Sequence, residues 1–208
     1  MPQCPLRTRQ GATPRLMALL ACLATPLLIL WLVTPASAQQ PWSLSVDLPV
    51  ALHFTGDGDA EPTSVSGYDL AVFSPWYVGV GLTRLHTGIK DFALNDQNLD
   101  LAYSIVNLLG KFTIGDLVLG LGIGRGTIAF DPETSTSGAI TQTFSGGDVQ
   151  QSFLFAGWKV TGNLDIHASQ HAILAADVKV DTEIYGVPFE DQGDIGAIMT
   201  TLGLGYYF

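Results

Sequence analysis

Cysteine is nearly absent: the 208 residues hold two, Cys4 and Cys22, both within the first 38. A chain that loses that segment has no disulfide and no thiol chemistry. Basic residues are scarce too, nine Lys and Arg against nineteen Asp and Glu. Residues 39–208 keep six of the nine and all nineteen acids, a formal charge of −13. That balance excludes nucleic acid as a partner, because its binding depends on neutralising phosphates with Lys and Arg. Beyond residue 38 no apolar run reaches the ~18 residues that a membrane helix needs. His53, His86 and His171 lack metal-ligand spacing. The run Gly122-Ile123-Gly124-Arg125-Gly126 is no nucleotide fingerprint, since no βαβ context surrounds it. No cofactor, metal site or catalytic residue is expected.

What is present begins with a targeting pattern. Arg7, Arg9 and Arg15 form a basic region, residues 16–33 an apolar run broken by Pro26, and Ala36-Ser37-Ala38 a small-residue cleavage site. Residues 1–38 therefore read as a Sec-type signal peptide, leaving 39–208 as one domain. An uncleaved anchor is disfavoured by Pro26 and the cleavage site. A lipoprotein signal ending at Cys22 is disfavoured by the long apolar run that follows it.

The rest of the chain is written in short alternating segments. Trp42, Leu44, Val46, Leu48, Val50, Leu52 and Phe54 take every second place, as lipid-facing residues of a spanning strand do. Pro49 cannot donate to a ladder, so a bulge or kink is expected there. Seven further segments follow, beginning near Ser66, Trp76, Leu99, Leu117, Val149 and Ala172 and ending in the stretch that closes on Phe208. The fourth loses its phase near Asn107, which predicts a bulge or a shifted register. Connections at 74–75, 115–116 and about 161–171 are mostly short, whereas 55–65, 87–98, 131–148 and 186–194 are longer and acidic. The expected fold is all-β: an eight-stranded antiparallel up-and-down transmembrane β-barrel with both termini on the periplasmic side.

The last strand carries the most specific signal. Leu202, Leu204, Tyr206 and Phe208 share one face, and Thr201, Gly203, Tyr206 and Phe208 fill the places of a C-terminal barrel-assembly signal. With this ending, residues 42–208 resemble the small eight-stranded bacterial outer-membrane barrels, the OmpA- and OmpX-type transmembrane domains. The resemblance implies an outer-membrane location, contact with outer-membrane lipid and lipopolysaccharide, and insertion by the barrel assembly machinery. It implies no single activity. The expected state is a monomer, without nucleic acid.

Eight strands enclose a lumen that side chains fill. On the seventh strand Asp177, Lys179, Asp181 and Glu183 are expected inside as a charge network, with Lys111, Lys159 and Arg125 as available partners. The glycines at 79, 81, 120, 122 and 124 would make room for large neighbours. Trp42, Phe54 and Trp76 are expected at the lipid boundaries. The acidic stretch Gly56-Asp57-Gly58-Asp59-Ala60-Glu61 lacks the spacing of a calcium loop and reads as solvated. His167-Ala168-Ser169 resembles the His-x-Ser of outer-membrane lipid A deacylases, with Asp181 as an orienting acid. Gln170 departs from that family, however, and the motif falls in an expected periplasmic turn. The reading is a structural or surface-interacting barrel presenting four acidic loops. A narrow solute channel and a lipid A-modifying hydrolase are the alternatives.

Overall fold

The structure is a computed structural model that describes residues 41–55, 61–93 and 97–208. The segment 1–38, and Asp57, Asp59 and Asp96 of the acidic loops, lie outside the described residues. The described residues form ten strands: β1 Ser43–Thr55, β2 Pro62–Phe73, β3 Val78–Ala93, β4 Gln97–Ile114, β5 Leu117–Asp131, β6 Thr134–Ser137, β7 Ile140–Ser145, β8 Asp148–Thr161, β9 Leu164–Ile184 and β10 Val187–Tyr207. Eight of them close a ring in the order β10-β1-β2-β3-β4-β5-β8-β9, with β9 pairing back to β10 and every neighbour antiparallel. Closure satisfies the backbone groups that an open edge would leave bare in lipid. The short hairpin β6–β7 lies outside the ring, with β7 on β9 from Ile140↔Ile184 to Ser145↔Lys179.

Three connections at one end are tight: residues 74–77, 115–116 and 162–163. Gly115 takes a positive φ of 62°, the conformation its two-residue turn demands. At the opposite end β9 and β10 run on together past the ring to a turn at Tyr185-Gly186. The structure thus corrects several boundaries: residues 87–93 belong to β3 and 164–171 to β9 rather than to connections. The 186–194 segment is strand rather than loop, and residues 131–148 hold the β6–β7 hairpin. Neither carries an apolar alternation, because a strand that rises above the lipid has no apolar neighbour to match.

Two bulges explain where the sequence pattern misleads. Pro49 pairs with Thr201 but Ala51 pairs with Thr200, so Val50 is an extra residue in β1. The bulge expected at Pro49 is there, and it inverts the phase beyond it. Leu44, Val46, Leu48 and Val50 face out, while Leu52 is buried inside and His53 is exposed. Phe54 likewise packs against the interior core and is no boundary aromatic. A second shift lies opposite Gly193/Ile195, where Asp177 adopts φ 58°. Before it, Leu174 and Ala176 point away from the interior; after it, Val178 is buried and Asp177, Lys179, Asp181 and Glu183 are exposed. The expected interior network on this strand is therefore corrected for these four residues. β4, by contrast, pairs with β5 without a shift from Asp100 to Ile114. Its odd positions face inward throughout. The apparent phase break at Asn107 marks a change of interior composition, not of register.

That change divides the interior. Toward the long hairpins, Leu85, Leu99, Leu101, Tyr103, Ile105, Val149 and their neighbours form one apolar core. Toward the tight turns buried polar residues (Ser45, Asp47, Asp69, Asn107, Lys111, Gln151, Asp165, His167, Ser169, His171 and Thr201) share the interior with a second apolar cluster that includes Phe73, Leu109, Val118, Phe153 and Phe155. Outside, Leu70, Val72, Val80, Val106, Leu108, Ile123, Leu202 and Leu204 are exposed around the ring. Trp42, Trp76, Trp158, Tyr206 and Phe208 are exposed at the tight-turn end.

Candidate functional site

The polar half of the interior is built by alternation. In β9, Asp165, His167, Ser169 and His171 point inward, while Ile166, Ala168 and Gln170 point out. β1 brings Ser45 and Asp47, β4 brings Asn107 and Lys111, and β10 brings Thr201 and Tyr207. Glycines give these side chains space. A β-carbon at Gly203 would collide with Asp47, one at Gly205 with Asp165, and those at Gly120 and Gly122 with the Phe155 and Phe153 rings. The glycines expected to accommodate large neighbours at 120 and 122 do so.

Lys111, only 1% exposed, donates from Nζ to Asp165 Oδ2 at 2.9 Å. The ammonium also lies 4.4 Å from the centroid of the Tyr207 ring and 5.1 Å from that of Phe73. The second Asp165 oxygen is 2.6 Å from His167 Nδ1. On the other side of the ring, His167 Nε2 is 2.9 Å from Asp47 Oδ1 and 3.1 Å from Ser45 Oγ. A ring that meets a carboxylate through each nitrogen is satisfied on both sides when both carry protons. Asp47 also accepts from Ser45 Oγ (3.0 Å), Ser169 Oγ (3.3 Å) and Thr201 Oγ1 (3.4 Å). A second string runs from Asn107 Nδ2 to Thr83 Oγ1 (2.8 Å), on to Gln151 Nε2 (3.3 Å) and to His171 Nδ1 (2.8 Å). His171 Nε2 then faces Asp69 Oδ2 at 3.5 Å. A charge this deep is tolerable only when paired and hydrogen-bonded.

Of the residues expected to form an interior network, only Lys111 belongs to it. Its partner is Asp165, not the acids of the upper β9; Lys159 lies over the Tyr207 ring, 4.5 Å from its centroid, and Arg125 is exposed. The His167–Ser169 pair is corrected as well: it lies mid-strand inside the barrel, not in a periplasmic turn. Sequence reading missed Asp47, Asp165 and His171 as interior groups. The alternation of polar residues from 165 to 171 was the available signal. Of the closing-strand signal residues, Thr201 and Gly203 point inward, while Tyr206 and Phe208 point out with their rings 6.4 Å apart and stacked.

Ser45, His167 and Asp165 stand in the order of a nucleophilic triad, at 3.1 Å and 2.6 Å. The surroundings oppose that chemistry. Asp47 contacts both Ser45 Oγ and His167 Nε2, and Lys111 is already paired with Asp165. The space among Ser45, Asp47, Asp69, His167 and His171 is about 20 Å³, room for about one water. Among the described residues no group of three or more His, Cys, Asp or Glu could hold a metal ion.

A closed antiparallel ring, apolar outside and polar in half of its interior, defines a membrane-spanning β-barrel of the kind outer membranes hold. No protein-family model and no curated protein matches the chain. Among solved structures, Neisserial surface protein A is similar at 11% identity and TM-score 0.49, over 80% of this chain and 97% of that one. A loop L8 deletion mutant of OmpT, an outer membrane protein of Vibrio cholerae, is similar at 11% identity and TM-score 0.27, over 85% of this chain and 66% of that one. The class rests on this chain's own ring and outer face.

Proposed function

We propose that this protein is a monomeric barrel of the Gram-negative outer membrane with a structural and surface-interacting role, neither a conducting channel nor a hydrolase. The observation that carries the reading is the plug: the interior beside Asp47 and His167 holds about 20 Å³, about one water's worth of space. A channel needs a continuous wet lumen, and a lipid A hydrolase needs its serine at the lipid face. Ser45 and Ser169 are instead buried among charges. The exposed apolar face would lie against outer-membrane lipid and lipopolysaccharide, and the barrel assembly machinery would insert the chain. The tight turns, with the start of β1 and the end of β10, would face the periplasm. The long, acidic β9–β10 hairpin and the short, uncharged β6–β7 hairpin would then meet the outside.

Planar-bilayer recording of the refolded protein tests this reading. A baseline without discrete steps is expected. Reproducible stepwise openings would transfer the assignment to a narrow channel. A fluorophosphonate probe tests the hydrolase alternative, and labelling that disappears in Ser45→Ala or Ser169→Ala would establish it.

A further inference from the structure

The apolar half of the interior opens at the long-hairpin end into a cup of about 310 Å³, at the low end of the ~300–1,000 Å³ typical of ligand pockets. Its wall includes Phe54, Leu99, Phe130 and Phe144, continuous with the core beneath, and its rim carries Asp191 and Asp194. The Phe130 and Phe144 rings sit 6.2 Å apart, tilted by 34°. Asp194 accepts the Asp177 N–H at 3.2 Å and Asp191 the Gln192 N–H at 2.9 Å. Neither carboxylate has a Lys, Arg or His of the described residues within 4 Å. The adjoining hollow repeats the bias, with Lys179 against Asp181, Glu190 and Asp191.

We propose that this cup binds a small organic cation with an apolar body, the hydrocarbon or aromatic part among the phenylalanines and the ammonium at Asp191 and Asp194. The cup's two halves select for both properties. A neutral apolar guest would strip water from two carboxylates and return nothing to them. An anion would be repelled by the same pair, and a bare metal ion would meet a phenylalanine wall. An alkylated ammonium loses little on desolvation and is attracted both by carboxylates and by the faces of aromatic rings. The inference is independent of whether the barrel conducts, since the cup lies above the plug.

The test is calorimetry on the protein in zwitterionic lipid nanodiscs, with empty discs subtracted, so that no detergent occupies the cup. The probes are 3-phenylpropyl-trimethylammonium, its neutral tert-butyl isostere and 3-phenylpropyl sulfonate. One saturable site is expected for the cation, about tenfold tighter than for the neutral isostere, with no binding of the sulfonate. Asp191→Asn with Asp194→Asn should erase the preference for the cation. Val180→Trp, which fills the cup from β9, should abolish binding of both. Absence of a saturable signal for the cation overturns the proposal. So does equal affinity for cation and isostere, or a preference that survives the two Asn substitutions. Heat-modifiable mobility of each variant identifies a folded barrel before it is titrated.

Discussion

At the scale of single residues, the buried pair of Lys111 and Asp165 dominates. Breaking a buried pair from one side leaves an uncompensated charge, whereas removing both partners together does not. Lys111→Met should therefore destabilise the barrel by about 3–5 kcal/mol. Lys111→Met combined with Asp165→Asn should recover a large part of that loss. Urea unfolding in lipid vesicles, run as a double-mutant cycle, measures both; additive losses would show that the two residues act separately. Lys111 was legible as an interior cation because it is one of six basic residues after residue 38 and sits in a strand. Asp165 was not, because a run reading Asp-Ile-His-Ala-Ser-Gln-His has too little apolar weight to stand out as membrane strand. Of its outward positions only Ile166 is large and apolar; Ala168 and Gln170 are small or polar even though the backbone is in the ring.

At the scale of strands, most of the ring could be read from alternation, and the errors share one cause. A period-two pattern reports which residues share a face only until an extra residue intervenes, and after it every side chain changes sides. Val50 does this in β1, and the shift beside Asp177 does it in β9. Deleting Val50 should remove the first bulge, making the Pro49–Thr201 and Ala51–Thr200 pairs consecutive and leaving Leu52 and Phe54 on the inner face. The apolar core would then keep Leu52, and the refolded yield, scored by the unheated gel band, should be maintained. A fall in yield would show that the bulge itself is needed for folding. The strand pair β5–β8 gives a complementary test. Gly122→Leu should block folding because the Phe153 ring occupies the position its side chain needs. Adding Phe153→Ala should restore a folded band. Restoration by Phe155→Ala instead would place the conflict one pair away.

At the scale of the whole molecule, the outer surface makes a depth prediction. Trp42, Trp76 and Trp158, the tryptophans after residue 38, are all exposed and all at the tight-turn end. In vesicles of brominated lipid their fluorescence should be quenched more by bromines near the headgroups than by bromines near the midplane, as boundary aromatics require. Stronger quenching from the midplane would contradict a single aromatic belt at that end. The number and closure of the ring strands were legible because lipid imposes alternation on whatever it touches. The β6–β7 hairpin and the upper parts of β9 and β10 escape that rule, and their sequence carried no trace of their pairing.

The seam between β1 and β10 sets a timetable. Ser43 meets Tyr207, and the Phe208 N–H reaches the Trp42 carbonyl at 2.9 Å, so one seam joins the two ends of the described chain. Contacts of such long sequence separation form slowly, because the loop they close must be ordered first. Seven neighbouring pairs can zip in chain order, but the eighth waits for residues near 207. Until then both edges are open and compete to pair with other chains. The two open edges must accordingly be kept from their neighbours until the last strand is in place.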